Sequence, residues 1–98
     1  MIRRFAVIDV GSNSVRLMLV ADGKVLYKRL NTTRLGEGLA DAPYLKTDAA
    51  ERTAQAVADF CMQARKDDAE DVFVFATAAA RPAKNREIFL DRVKELCG

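Results

Sequence analysis

The hydrophobic pattern changes period along the chain, and each change marks an element. Arg4 to Val10 (Arg-Phe-Ala-Val-Ile-Asp-Val) is a short β-branched apolar run, which predicts a central strand buried on both faces. Gly11-Ser12-Asn13-Ser14 then reads as a turn. From Val15 to Val20 the period is two: Val15, Leu17 and Leu19 fall on one face, Arg16 and Met18 on the other. Asp22-Gly23 follows at once, a two-residue hairpin signal, so Lys24 to Leu30 is expected to return as a third strand. Asn31 to Lys46 is polar, contains Gly36, Gly38 and Pro43, and reads as a loop. The spacing then turns helical through Ala50, Ala54, Val57, Ala58, Cys61 and Ala64. Thr47 is the expected N-cap, Asp48 and Glu51 suit the first-turn dipole, and the helix should end within Lys66–Asp71. Val72 to Ala76 predicts another buried strand, followed by a turn containing Pro82. Asn85 is placed to cap a last helix carrying Phe89, Leu90, Val93 and Leu96, with Gly98 as its C′ residue.

The resulting order is βββαβα. A strand that follows a crossover helix should return parallel to an earlier strand, here the first. This describes a mixed α/β sheet of at least four strands, and the last helix would ordinarily lead to one more parallel strand.

Composition narrows the function classes. Of 98 residues, 16 are basic and 14 acidic, and half are apolar, which suits one small domain and argues against disorder. The near-neutral charge gives no electrostatic footprint for nucleic acid. Apolar runs are a few residues long, far short of the roughly 20 that a bilayer requires. The basic start at Arg3-Arg4 is followed by an apolar stretch that Asp9 interrupts, without a cleavage signal, so no leader and a cytoplasmic location are expected. Cys61 and Cys97 are expected to be buried free thiols in a reducing compartment, although a disulfide is arithmetically possible. The chain has no histidine, which excludes a His triad, a His general base or a His-ligated metal from these residues alone.

Three segments are candidates for chemistry. In Asp9-Val-Gly11-Ser12-Asn13-Ser14 an acid ends an apolar strand and a Gly- and hydroxyl-rich turn follows. Gly11 permits close backbone approach to an anion, and successive N–H groups at Ser12, Asn13 and Ser14 can converge on phosphate oxygens. Asp9 beside such an anion suits a hydrated Mg²⁺ or an oriented water. The same residues also suit an ordinary hairpin turn. An unpaired acid in an apolar strand is costly, and that inclines the reading toward function. The segment is neither a P-loop nor a dinucleotide fingerprint, because a strand rather than a helix follows the glycine. The second candidate, Arg34-Leu-Gly36-Glu37-Gly38, can line an anion site, but its residues alone favour a solvated surface loop. The third, Ala76-Thr77-Ala78-Ala79-Ala80-Arg81, leaves the fourth strand at the carboxyl edge where open α/β sheets bind ligands. Asp9 and Thr77 should share that edge, and Arg81 suits either a bidentate phosphate contact or a surface ion pair.

Phe5-Ala-Val-Ile-Asp-Val-Gly-Ser-Asn-Ser-Val-Arg-Leu, Thr33-Arg-Leu-Gly-Glu-Gly-Leu and Ala76-Thr-Ala-Ala-Ala-Arg-Pro-Ala-Lys-Asn-Arg-Glu-Ile-Phe-Leu, in this order, resemble the amino-terminal part of the exopolyphosphatase and guanosine pentaphosphate phosphohydrolase family. That family belongs to the acetate kinase, sugar kinase, heat-shock protein 70 and actin superfamily. The first segment suits any superfamily member; the second and third make the resemblance specific. It implies a ribonuclease-H-like (actin-like ATPase) fold with sheet order 3-2-1-4-5. Residues 1–98 would supply 3-2-1-4 of the first such domain, without the fifth strand and its following helix. It also implies hydrolysis of terminal phosphate from polyphosphate or guanosine pentaphosphate, with Mg²⁺ or a similar divalent cation, in a homodimer when intact. Asp9 and Arg81 are then catalytic, Asp9 also facing the metal. Gly11, Ser12, Asn13 and Ser14 form the first phosphate-binding loop, and Arg34, Gly36 and Glu37 form a candidate substrate loop.

The family's catalytic Glu, in Ser-Gly-Glu-x-Glu-Ala, and its second phosphate loop, Asp-x-Gly-Gly-Gly-Ser, do not occur in these 98 residues. These residues alone are therefore expected to turn over nothing. Two other classes remain open at this point. One is a non-catalytic module that binds phosphate or nucleotide, or pairs a strand with a partner. The other is a fragment of a sugar kinase or actin-type ATPase, which shares the first loop but leaves the second and third segments unexplained.

Overall fold

A computed structural model describes residues 3–38, 44–76 and 84–97. The elements are β1 (Arg4–Val10), β2 (Ser14–Ala21), β3 (Lys24–Thr32), α1 (Thr47–Lys66), β4 (Asp71–Ala76) and α2 (Arg86–Cys97). They form one mixed sheet in the order β3-β2-β1-β4. β1 to β3 are antiparallel neighbours, and β4 runs parallel to β1 with Val10 opposite Ala76. The expected βββαβα order and the 3-2-1-4 sheet are both present. The carboxyl ends of β1 and β4 therefore lie at one edge, as the crossover rule requires. Thr77 to Arg81, Pro82 and Gly98, about which the sequence made specific expectations, lie outside the described residues.

One face of the sheet is covered. Ala6, Ile8 and Val10 of β1 and Val15, Leu17 and Leu19 of β2 are buried there. They share one core with Ala54, Val57, Phe60, Cys61 and Ala64 of α1 and with Phe89 and Val93 of α2. Alanines at the helical contact positions let α1 lie close to the strands. Cys61 is buried as expected, whereas Cys97 is only partly so.

The other face corrects the sequence reading. β1 and β4 were expected to be buried on both sides, yet burial in β1 alternates, and Phe73 and Phe75 of β4 remain 48% and 54% exposed. Both helices pack on the opposite side, so nothing among the described residues covers Phe5, Val7, Phe73 and Phe75. Phe5 and Phe73 meet edge to face there, with ring centroids 6.3 Å apart.

Two helix caps differ from expectation as well. Thr47 is the first helical residue; the capping position is Lys46, which offers no side-chain cap bond. The Asn85 amide is used elsewhere: its Oδ1 accepts from the Leu45 N–H at 2.8 Å and its Nδ2 donates to the Leu45 carbonyl at 2.9 Å. That pair ties the segment before α1 to the start of α2. Further along, Arg92 grips the Glu51 carboxylate from α2 at 2.8 Å. This grip holds the Glu51 carboxyl down at about 2, mainly through the hydrogen bonds from Arg92 and then Gln55.

A clasped turn at the sheet edge as candidate functional site

The geometry of the first candidate segment begins with β1. Val10 faces the core, so strand alternation turns Asp9 to the uncovered face. In the strand register Asp9 lies between Arg16 of β2 and Phe75 of β4. Its Oδ1 is buried and has no hydrogen-bond partner among the described residues. Asp9, Arg16, Met18, Lys28 and Leu30 line an open groove of about 420 Å³ on this face. A buried carboxylate oxygen without a donor is costly to keep unless something outside the described residues satisfies it. One carboxylate is what a largely hydrated Mg²⁺ usually takes, and the basic residues Arg16, Lys28 and Arg29 line the same groove. Among the described residues, no cluster of three or more Asp, Glu or Cys side chains forms an all-protein metal cage.

Beyond Val10 the chain turns back sharply. The Gly11 N–H donates to the Ser14 carbonyl at 3.0 Å. A Cβ on Gly11 would stand only 3.2 Å from that same oxygen, so the turn is tight enough to favour glycine. The turn does not stand free. The Ser12 carbonyl accepts from the Gly36 N–H at 2.8 Å, and the Asn13 carbonyl accepts from the N–H groups of Thr33 and Arg34 at 3.1 and 3.0 Å. These bonds use the turn's carbonyls and the Gly11 amide; the Ser12 and Asn13 amides take no part in them.

The second candidate segment is thus brought against the first. Arg34 and Glu37 are exposed, as in the surface loop that its residues alone favoured, but the segment is anchored rather than free. Thr33 and Leu35 are buried, and Leu35 belongs to the core. A Cβ on Gly36 would approach the Ser12 Cβ to 3.1 Å, so glycine permits the close crossing of the two segments. Arg34 adopts φ +55°, a left-handed conformation that costs a non-glycine residue about 1 kcal/mol. Its carbonyl accepts from the Glu37 N–H at 3.0 Å, which closes a turn around that strained residue. Ser12, Asn13, Arg34, Gly36 and Glu37 line a surface cleft of about 350 Å³. Asp9 lines the separate groove on the sheet face and not this cleft.

Two supporting residues escaped the sequence reading. Arg52 of α1 donates from Nε to the Thr33 carbonyl at 2.8 Å, and its Nη2 reaches Glu37 at 3.3 Å. Thr53 donates to the Thr33 hydroxyl at 2.8 Å, and both threonines are buried. A signal was present: Thr53 stands four residues before Val57, which puts a hydroxyl on the apolar stripe of the helix. Such a hydroxyl needs a buried partner.

The sheet order, the parallel β1–β4 pair and the two helices on one face define a mixed α/β domain of the actin-like type. Comparison with known proteins places it further. The Ppx/GppA phosphatase family matches residues 20–98, and the chain belongs to that family. It is 31% identical to "Exopolyphosphatase 2" of Mycobacterium tuberculosis over 97% of its own length and 32% of that protein's. It is 35% identical to a guanosine-5'-triphosphate,3'-diphosphate pyrophosphatase of Photobacterium profundum over 96% of its length and 20% of that protein's. The crystal structure of the Aquifex aeolicus member of the Ppx/GppA family superimposes with a TM-score of 0.90 at 38% identity, covering 97% of this chain and 32% of that one. The chain thus spans a third or less of these relatives. Among the described residues, no helix is long and apolar enough to cross a membrane.

Proposed function

We propose that this chain is the amino-terminal part of the first actin-like domain of a phosphohydrolase. In this reading the whole protein releases terminal phosphate from inorganic polyphosphate or from guanosine pentaphosphate. Membership of the Ppx/GppA family supports the activity. The observation that carries the site is the clasp between Ser12–Asn13 and Thr33–Gly36, which fixes two polar segments into one cleft beside the carboxyl edge of the sheet.

The roles follow from the chemistry each group offers. Gly11 to Ser14 hold phosphate oxygens, with the Ser12 and Asn13 amides and the hydroxyls as donors. Arg34 supplies positive charge from a backbone position held by two loop bonds, and Gly36 allows that approach. Glu37 stays engaged with Arg52 and keeps the loop closed. Asp9 holds a hydrated divalent cation, Mg²⁺ or similar, through its unpartnered oxygen. When bound, that cation would neutralise charge on the part of the substrate that extends from the cleft to the sheet face. Arg81 neutralises charge that develops on the transferred group. The base that takes the proton from the attacking water is assigned to the rest of the protein.

Phosphate release from polyphosphate and from guanosine pentaphosphate, measured on the whole protein, tests this reading. Arg34→Ala should raise KM about tenfold or more with the fold intact, the worth of one charge-assisted contact. The 98-residue chain alone should release nothing. An unchanged KM in the variant, or robust turnover by the chain alone, would overturn the assignment.

A further inference from the structure

α1 and α2 meet at a pair of sulfurs. Cys61, in the buried stripe of α1, and Cys97, the last residue of α2, are both free thiols, with Sγ atoms 3.2 Å apart. Arg65, one turn beyond Cys61, donates to the Cys97 carbonyl at 3.0 Å and holds the end of α2 against α1. Cys61 is 2% exposed, whereas Cys97 is only partly buried and is the sulfur nearer to solvent. A disulfide needs the sulfurs at about 2.05 Å, so closure asks for a movement of about 1 Å, which rotation about the side-chain bonds at a helix end can provide.

We propose that Cys61 and Cys97 form a reversible disulfide clamp between α1 and α2, closed by a peroxide and reopened by a thiol reductant. In the first step the Cys97 sulfur attacks a peroxide oxygen, the O–O bond breaks, and one water leaves once the thiol proton is transferred. Cys97 is then a sulfenic acid. In the second step the Cys61 sulfur attacks the Cys97 sulfur, the S–O bond breaks, and the hydroxyl departs with the Cys61 proton as a second water. Two thiols are oxidised by two electrons in all, and hydrogen peroxide is reduced to two waters. Burial, followed by the hydrogen bond with Cys97, pushes the Cys61 thiol up to about 12. Proximity rather than thiolate content therefore drives the second step. The ring so closed contains β4 and residues 77–85, which connect it to α2. The inference is independent of the substrate reading above.

The test uses the whole protein, folded and reduced. It is treated with hydrogen peroxide, its remaining thiols are alkylated, and it is digested with trypsin for mass spectrometry. The expected product joins the peptide from Thr53 to Arg65 with the peptide that starts at Glu95, and dithiothreitol abolishes it. Alkylation of Cys97 should fall at least tenfold in parallel. In Cys61→Ser, Cys97 should instead proceed to the sulfinic acid, because its resolving partner is gone. Should Cys61→Ser fold poorly, Cys97→Ser, at the less buried position, should leave Cys61 unoxidised under the same treatment. A wild-type Cys97 that reaches sulfinic acid while Cys61 stays a thiol would overturn the proposal. So would a cross-link that appears only after unfolding in urea.

Discussion

Two turns in this chain do the same topological work, each joining antiparallel neighbours, yet they are built differently. Asp22-Gly23 joins β2 to β3 with both residues left-handed, at φ +53° and +73°, and a Cβ on Gly23 would meet nothing within 4 Å. It is a connector, and its sequence suffices to explain it. Gly11-Ser12-Asn13 joins β1 to β2 without a left-handed residue, and both glycines in its neighbourhood are crowded. Three backbone bonds from residues 33–36 hold it, and α1 holds those residues in turn through Arg52 and Thr53. A bare hairpin needs none of this. The difference shows that the Gly11–Asn13 turn is held in shape by a neighbouring loop as well as by the strands it connects.

The largest expected difference between the two turns lies in paired acid substitutions beside each. Asp9→Asn should lower kcat for phosphate release by about 100-fold or more, the usual cost of removing one charge-stabilising group from such a site. Asp22→Asn should leave kcat unchanged and keep its turn, since Asn tolerates the left-handed conformation. Equal effects from the two would erase the distinction. Glycine substitutions sharpen it. Gly36→Ala and Gly23→Ala should each cost about 1 kcal/mol by urea unfolding, the first by pressing on Ser12 and the second through its left-handed backbone. Only Gly36→Ala should also weaken substrate binding severalfold. The smallest effect lies away from both turns, at the Glu51–Arg92 pair. Glu51 titrates at about 2 in the fold against an ordinary 4.5, so the pair's contribution is fully present above about pH 4.5 and is lost as the pH falls to about 2. Thermal melts should show the wild type's advantage over Glu51→Gln shrinking across that window, with neutral-pH activity the same in both.

Most of the sheet was legible because strand period and hairpin chemistry are local. The span of β1, the Asp22-Gly23 turn and the core face of β2 were read correctly for that reason. The exposure of Phe73 and Phe75 was not legible, since a continuous apolar run states that a strand can be covered, not which side a distant helix covers. Asn85 misled for a related reason: its side chain serves Leu45, a partner forty positions away that no capping rule anticipates. Of the candidate site, the residue types in each segment were visible, but the clasp was not. A simple two-residue hairpin would set Ser14 opposite Asn31. The irregularity at Leu19/Val20 leaves Leu26 unpaired in β3 and sets Ser14 opposite Thr32 instead. That one-residue shift sets where Thr33 to Gly36 fall beside Ser12 and Asn13, and no pattern in the sequence announces the bulge.

The central claim is that the turn at Gly11–Ser14 and the loop at Arg34–Glu37 form one phosphate-binding site. Backbone amide chemical shifts of the ¹⁵N-labelled whole protein, followed during titration with tripolyphosphate, test it most directly. The account predicts saturable shifts at Ser12, Asn13, Ser14, Arg34 and Gly36 that share one dissociation constant, with Asp22 and Gly23 unmoved. Shifts confined to other parts of the chain, or shifts at the two segments that saturate independently, would contradict it.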